Sequence, residues 1–163
     1  MTAWVLADAP DPNVTNIDGL LTVHGSADDL GVPGATRHPN GVTSIDHVVV
    51  NTPDLERTCG AIESDTGAPL KRVREIGPMR QGFHRLGSLI VEVVTHPGVT
   101  GDHAAFWGLA LNADDLDATY AQCGDSVMSA PKDAVQPGRR IASFREAARL
   151  GLPVAVMTPH VRR

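Results

Sequence analysis

The sequence predicts an α+β fold built from two copies of a βαβββ unit behind an irregular N-terminal extension. Three observations predict it. A strand-like run from Ile45 to Asn51 leads straight into a helix opening at Thr52-Pro53. Three further strand-length runs follow that helix, divided by Gly77-Pro78 and by Gly87-Ser88. The plan then recurs, with Asp115-Leu116 standing where Asp54-Leu55 stood.

Composition bounds the class first. A chain of 163 residues suffices for one compact domain and is short for two independent cores. With 42% hydrophobic and 20% charged residues it reads as globular. Its longest apolar runs, HVVV and SLIVEVV, are strand-sized and far below the roughly 20 residues that span a bilayer. The opening MTAWVLADAPDP lacks the basic start and apolar core of a secretory signal, so a cytoplasmic protein with no membrane partner is expected. A net charge of -5 argues against a nucleic-acid partner, whose phosphates demand clustered Lys and Arg. Two cysteines, Cys59 and Cys123, are too few for a disulfide scaffold.

Residues 1–44 form the extension: AWVL suits a strand, and Pro10, Pro12, Gly19, Gly25, Gly31, Pro33, Gly34 and Pro39 punctuate the rest. The β-branched run IDHVVVN is the first strand of the 45–163 domain. Thr52 as a cap and Pro53 at the first helical position predict a helix over about 53–65, with Leu55, Cys59 and Ile62 as its apolar stripe and Gly67 at its stop. LKRVREI, RQGFHRL and SLIVEVVT complete module one, 45–98. Module two, 104–160, opens with FWGLALNADDLDATYAQCG, whose helix carries Leu116, Tyr120 and Cys123 at the same spacing. The alignment also pairs Asn51 with Asn112, Leu86-Gly87 with Leu150-Gly151 and Thr95 with Thr158.

With histidine on the first strand and PDLE opening the first helix, this tandem arrangement resembles the vicinal oxygen chelate superfamily of glyoxalase, bleomycin-resistance and extradiol dioxygenase proteins over about Ile45 to Thr158. HVVVNTPDLE, RLGSLIVEVV, DDLDATYAQCG and GLPVAVMTP look most like bacterial glyoxalase-like proteins of unassigned substrate. The resemblance implies a curved mixed sheet around a central cavity, a small-molecule ligand held there, metal ligands from both modules, and pairing into a homodimer.

Strand alternation sets Ile45, His47 and Val49 against Val48 and Val50, and Ile90, Glu92 and Val94 against Leu89, Val91 and Val93. The resemblance makes His47 and Glu92 metal ligands for zinc, nickel, manganese or iron. The equivalent positions of module two are Gly108 and either Val156 or Ala155, which offer no donor, so the metal site is incomplete. Without metal, the same two residues suit acid–base chemistry, Glu92 as general base and His47 positioning or protonating the substrate.

Gln81, Phe83 and Arg85 share one face of RQGFHRL and, with Trp107 and with Arg139 or Arg140 from VQPGRR, form the expected substrate-binding set; His84 falls on the helix side. His24, His38, His96, His103 and His160 sit in loop-like contexts and read as surface residues. The two cysteines read as small hydrophobes. No nucleophile elbow, Walker loop, dinucleotide fingerprint or C-x-x-C pair is present. Two readings stay open: an enzyme of lyase, isomerase or dioxygenase type acting on a small, oxygen-rich, anionic molecule, and a non-catalytic binding or sequestering protein with a degenerate metal site.

Overall fold

The computed structural model describes residues 1–7, 13–26 and 38–160. It divides into two compact units, one taking in Met1–Gly34 and Val48–Trp107, the other Ala35–His47 and Gly108–Arg163. Among the described residues no helix is long and apolar enough to cross a membrane.

The described part of the extension is more regular than its composition suggests. Strands β1 (Ala3–Leu6), β2 (Asn13–Ile17) and β3 (Leu20–His24) form a three-stranded sheet in the order β1-β3-β2. Asp18-Gly19 closes the β2–β3 hairpin with positive φ at both residues, 50° and 100°, the Asp-Gly geometry whose twist matches paired strands. A side chain at position 19 would also meet the Ala104 carbonyl at 2.6 Å. Gly31, Pro33, Gly34, Pro10 and Pro12 lie outside the described residues. One expectation is corrected here: His24 is buried, with Nε2 3.0 Å from Asp65 and 3.0 Å from the Thr15 hydroxyl. Gly25 directly after it disguised a strand end as a loop.

Both βαβββ modules are present. The first runs β4 (Val42–Asn51), α1 (Leu55–Thr66), β5 (Arg72–Ile76), β6 (Met79–Leu86) and β7 (Leu89–Thr95). The second runs β8 (Ala105–Ala113), α2 (Leu116–Cys123), β9 (Lys132–Asp133), β10 (Arg140–Ser143) and β11 (Val154–Met157). Both helices are capped by the aspartate one residue before them: Asp54 accepts the Arg57 amide and Asp115 the Ala118 amide. The first helix therefore starts two residues later than Thr52-Pro53 predicts, because the Asp54 carboxylate takes the capping role and Thr52 turns its hydroxyl to the Asp54 amide.

In the first unit the strand order is β5-β6-β7 followed by the Val48–Asn51 end of β4, and α1 packs on β6 and β7. Leu55, Cys59, Ile62, Val91 and Val93 are buried there, each large aliphatic contributing on the order of 1.5–3 kcal/mol. Gly82 of β6 lets the helix close in, since a Cβ would lie 2.7 Å from the Cys59 sulfur. In the second unit the start of β4 is followed by β8, β11, β10 and β9. Its core gathers Ala113, Leu116, Met128, Ala142 and Val156, with Tyr120 and Cys123 packed on the margin.

Candidate functional site

The second unit builds its polar centre on β4. Asp46 and His47 are adjacent, and the Asp46 carboxylate lies 2.8 Å from His47 Nδ1. Asp46 is buried, which an acid tolerates only with strong partners. Those partners come from Arg139, 93 residues away in the chain: Nη2 donates to Oδ1 at 2.8 Å and Nη1 to Oδ2 at 3.3 Å. Arg139 is itself 3% exposed. Its remaining hydrogens go to the Asn112 amide oxygen at 3.0 Å, the Gln136 amide oxygen at 3.3 Å and the Thr158 carbonyl at 2.8 Å. All five guanidinium donors are engaged.

Burial would push the Asp46 carboxyl up, but hydrogen bonds from His47 and Arg139, with the Arg139 charge, hold it well below the usual carboxylate range. An ionised Asp46 only accepts hydrogen bonds, so His47 Nδ1 carries the proton between them. The His47 side chain is 14% exposed. A fixed acceptor at Nδ1 orients the ring.

The first unit supplies a second polar group on β6 and β7. Gln81 Nε2 donates to Glu92 Oε1 at 2.5 Å, and Phe83 stands opposite Glu92 in register. Gly82 and His84 point the other way, toward α1 and its end, where His84 Nδ1 meets the Ala68 carbonyl at 2.9 Å. On the Gln81 face, β5 sets Arg74 opposite Gln81 and Arg72 opposite Phe83, with the Arg72 guanidinium 5.2 Å from the ring centre.

The expected site residues thus fall into separate groups. Gln81, Phe83 and Glu92 share one face of the first unit. Arg85 is exposed and turns back to the Gly87 carbonyl; Trp107 is 49% exposed. His47 and Arg139 meet through Asp46, and Arg139, expected to bind a ligand anion, has no donor to spare. Arg140 points the opposite way and pairs with Asp117 of α2 at 2.5 Å. Asp46, Asn112, Arg72 and Arg74 are missing from the expected set. An acid inside an otherwise apolar strand run was the available signal for Asp46.

The second-module positions are closed as well as empty. A Cβ at Gly108 would lie 2.5 Å from the Pro153 carbonyl, which accepts the Leu109 amide, and Val156 is fully buried. Among the described residues no three His, Cys, Asp or Glu side chains are grouped to hold a metal ion. The donor set does not fit a centre with three or more side-chain ligands.

No protein-family model matches the chain, and no curated protein matches it in sequence. Solved structures do match in shape. Methylmalonyl-CoA epimerase from Mycobacterium tuberculosis superimposes with a TM-score of 0.64 at 15% identity, over 77% of this chain and 94% of that one. A Streptomyces coelicolor methylmalonyl-CoA epimerase variant in complex with 2-nitronate-propionyl-CoA gives 0.59 at 17%, over 74% and 99%. A hypothetical protein from Bacillus halodurans gives 0.60 at 9%, over 73% and 96%. At such identities the likeness is one of fold.

Proposed function

We propose that this chain, which has the vicinal oxygen chelate fold, is a cytoplasmic, homodimeric glyoxalase-like protein that binds a small, oxygen-rich, anionic molecule and moves a proton on it as an isomerase does. Glu92 is the base: it takes a proton from the carbon beside a carbonyl, and the C–H electron pair passes to the carbonyl oxygen as an enolate. The protonated Glu92 exchanges with solvent and returns a proton to that carbon as the carbonyl re-forms. The observation that carries this reading is Glu92, a carboxylate that the Gln81 amide holds on one face of the first unit, opposite Phe83. The fold shared with methylmalonyl-CoA epimerases makes a 2-substituted acyl thioester the first compound to try.

A second reading, sequestration without chemistry, is favoured by the filled positions at Gly108 and Val156. One experiment separates the two. The protein is incubated in D2O with methylmalonyl-CoA and with a series of small 2-substituted carboxylates, and deuterium at C2 is followed by NMR. The isomerase reading expects exchange that persists in chelator and falls at least about 100-fold in Glu92→Gln. Exchange that needs added zinc, nickel, manganese or iron would replace it with a metalloenzyme. Binding without exchange would leave sequestration.

A further inference from the structure

We propose that the β5–β6–β7 face of the first unit holds an oxyanion subsite in which Arg74 binds a carboxylate or phosphate of the ligand and the Gln81 amide oxygen accepts a hydrogen bond from a donor beside it. The inference rests on the anionic-ligand reading above and narrows the ligand to an oxyanion with a neighbouring hydroxyl or N–H, as in a 2-hydroxy acid.

Register places the two residues face to face. Arg74 on β5 is directly opposite Gln81 on β6, and Gln81 is opposite Val94 on β7. Directly paired residues of antiparallel strands have Cβ atoms about 5 Å apart. Alternation puts Arg72, Arg74, Gln81, Phe83, Arg85 and Glu92 on this face, three cations against one acid. The other cations have local engagements: Arg72 lies over the Phe83 ring and Arg85 turns to the Gly87 carbonyl. On the opposite face Arg80 is paired with Glu56 and Glu75.

Arg74 differs from all of these. It is half-buried and, among the described residues, its guanidinium has no hydrogen bond or ion pair. A guanidinium partly withdrawn from water without an acid beside it is poised for an added anion. The independent observation is Gln81 Oε1, a buried acceptor with no partner. Buried carbonyl oxygens are nearly always satisfied, so an orphan marks a place where another molecule donates. The two unmet groups do not satisfy each other, because the Gln81 amide nitrogen is held toward Glu92. A ligand presenting an oxyanion to Arg74 and a hydroxyl to Gln81 satisfies both at once, beside the carboxylate proposed as base.

Three probes test this by NMR, read at the Arg74 Nε–H and Gln81 side-chain amide signals: lactate, propionate (which lacks the hydroxyl) and inorganic phosphate. Lactate is expected to bind at least threefold tighter than propionate. Arg74→Met weakens both at least tenfold, while Arg74→Lys, which keeps charge without the fork, weakens them less. Gln81→Met abolishes the preference for lactate and leaves propionate within about twofold. Phosphate that displaces lactate with higher affinity assigns the subsite to phosphate esters; phosphate that fails to displace it assigns carboxylates. The proposal is overturned if none of the probes moves the Arg74 signal, or if Arg74→Met, folded by its amide spectrum, binds as wild type does. Arg74-dependent binding with no deuterium exchange would sink the isomerase reading alone. Exchange untouched by Arg74→Met would sink the subsite alone.

Discussion

Replacing Arg139 with methionine is the sharpest perturbation of the second unit. It removes two hydrogen bonds to Asp46, at 2.8 and 3.3 Å, and the bonds to Asn112, Gln136 and the Thr158 carbonyl. Asp46, 7% exposed as a side chain, keeps only His47. Breaking a buried ion pair from one side costs about 3–5 kcal/mol, because the surviving charge stays out of water. For a chain of this size 1 kcal/mol moves Tm by about 2–4 °C, so Arg139→Met is expected to melt roughly 6–20 °C lower at pH 7. Asp46→Leu/Arg139→Met removes the stranded charge and is expected to recover at least half of that loss. The pH dependence follows from the depressed Asp46 carboxyl. Its stabilising contribution is complete above the unfolded pKa of about 4 and is lost only as pH falls well below that. The deficit of Arg139→Met should therefore shrink on acidification, as the unpaired Asp46 becomes protonated. Differential scanning calorimetry from pH 3 to 8 measures both effects. A loss under about 2 °C at pH 7, or a double variant no better than the single one, would refute the reasoning.

Three further outcomes are expected. Gly108→His, which restores a ligand-type residue to β8, drives a side chain into the Pro153 carbonyl 2.5 Å away, so urea unfolding should show a loss of at least about 2 kcal/mol and calorimetry no gain in zinc affinity. Gly82→Ala should cost about 1–3 kcal/mol through the 2.7 Å approach to the Cys59 sulfur, and Cys59→Ala in the same chain should recover part of it. Burial, with a smaller push from Glu56, raises the Cys59 thiol to about 11, so iodoacetamide at pH 8 should label it in urea and leave it unlabelled in the native protein.

Much of the architecture was legible because module one repeats clear local signals. Gly77-Pro78 and Gly87-Ser88 close two-residue hairpins where expected, and Leu55, Cys59 and Ile62 are the buried helix stripe. The β2–β3 hairpin was carried by Asp18-Gly19 yet hidden among prolines and glycines, which mark turns without showing that strands join them. The site was legible in part. Alternation put Gln81, Phe83 and Glu92 on one face, but β5 is largely exposed on both faces, so nothing in its own pattern fixed which way Arg72 and Arg74 point until β6 paired with it. Asp46 escaped because its partner lies 93 residues away, a separation no local period encodes. Arg139 lies one residue before β10, which Arg140 begins, and only contacts reveal that the first is consumed by Asp46 and the second by Asp117.

The polar centre of the second unit turns on Asp46 holding His47 with its proton on Nδ1. Long-range 1H–15N correlation spectra of the imidazoles above neutral pH read this directly. His47 should show a protonated Nδ1 in the wild type, and Asp46→Asn, whose amide can donate to Nδ1, should shift population toward the Nε2–H form. A wild-type His47 already protonated on Nε2, or a tautomer unmoved by Asp46→Asn, would contradict it.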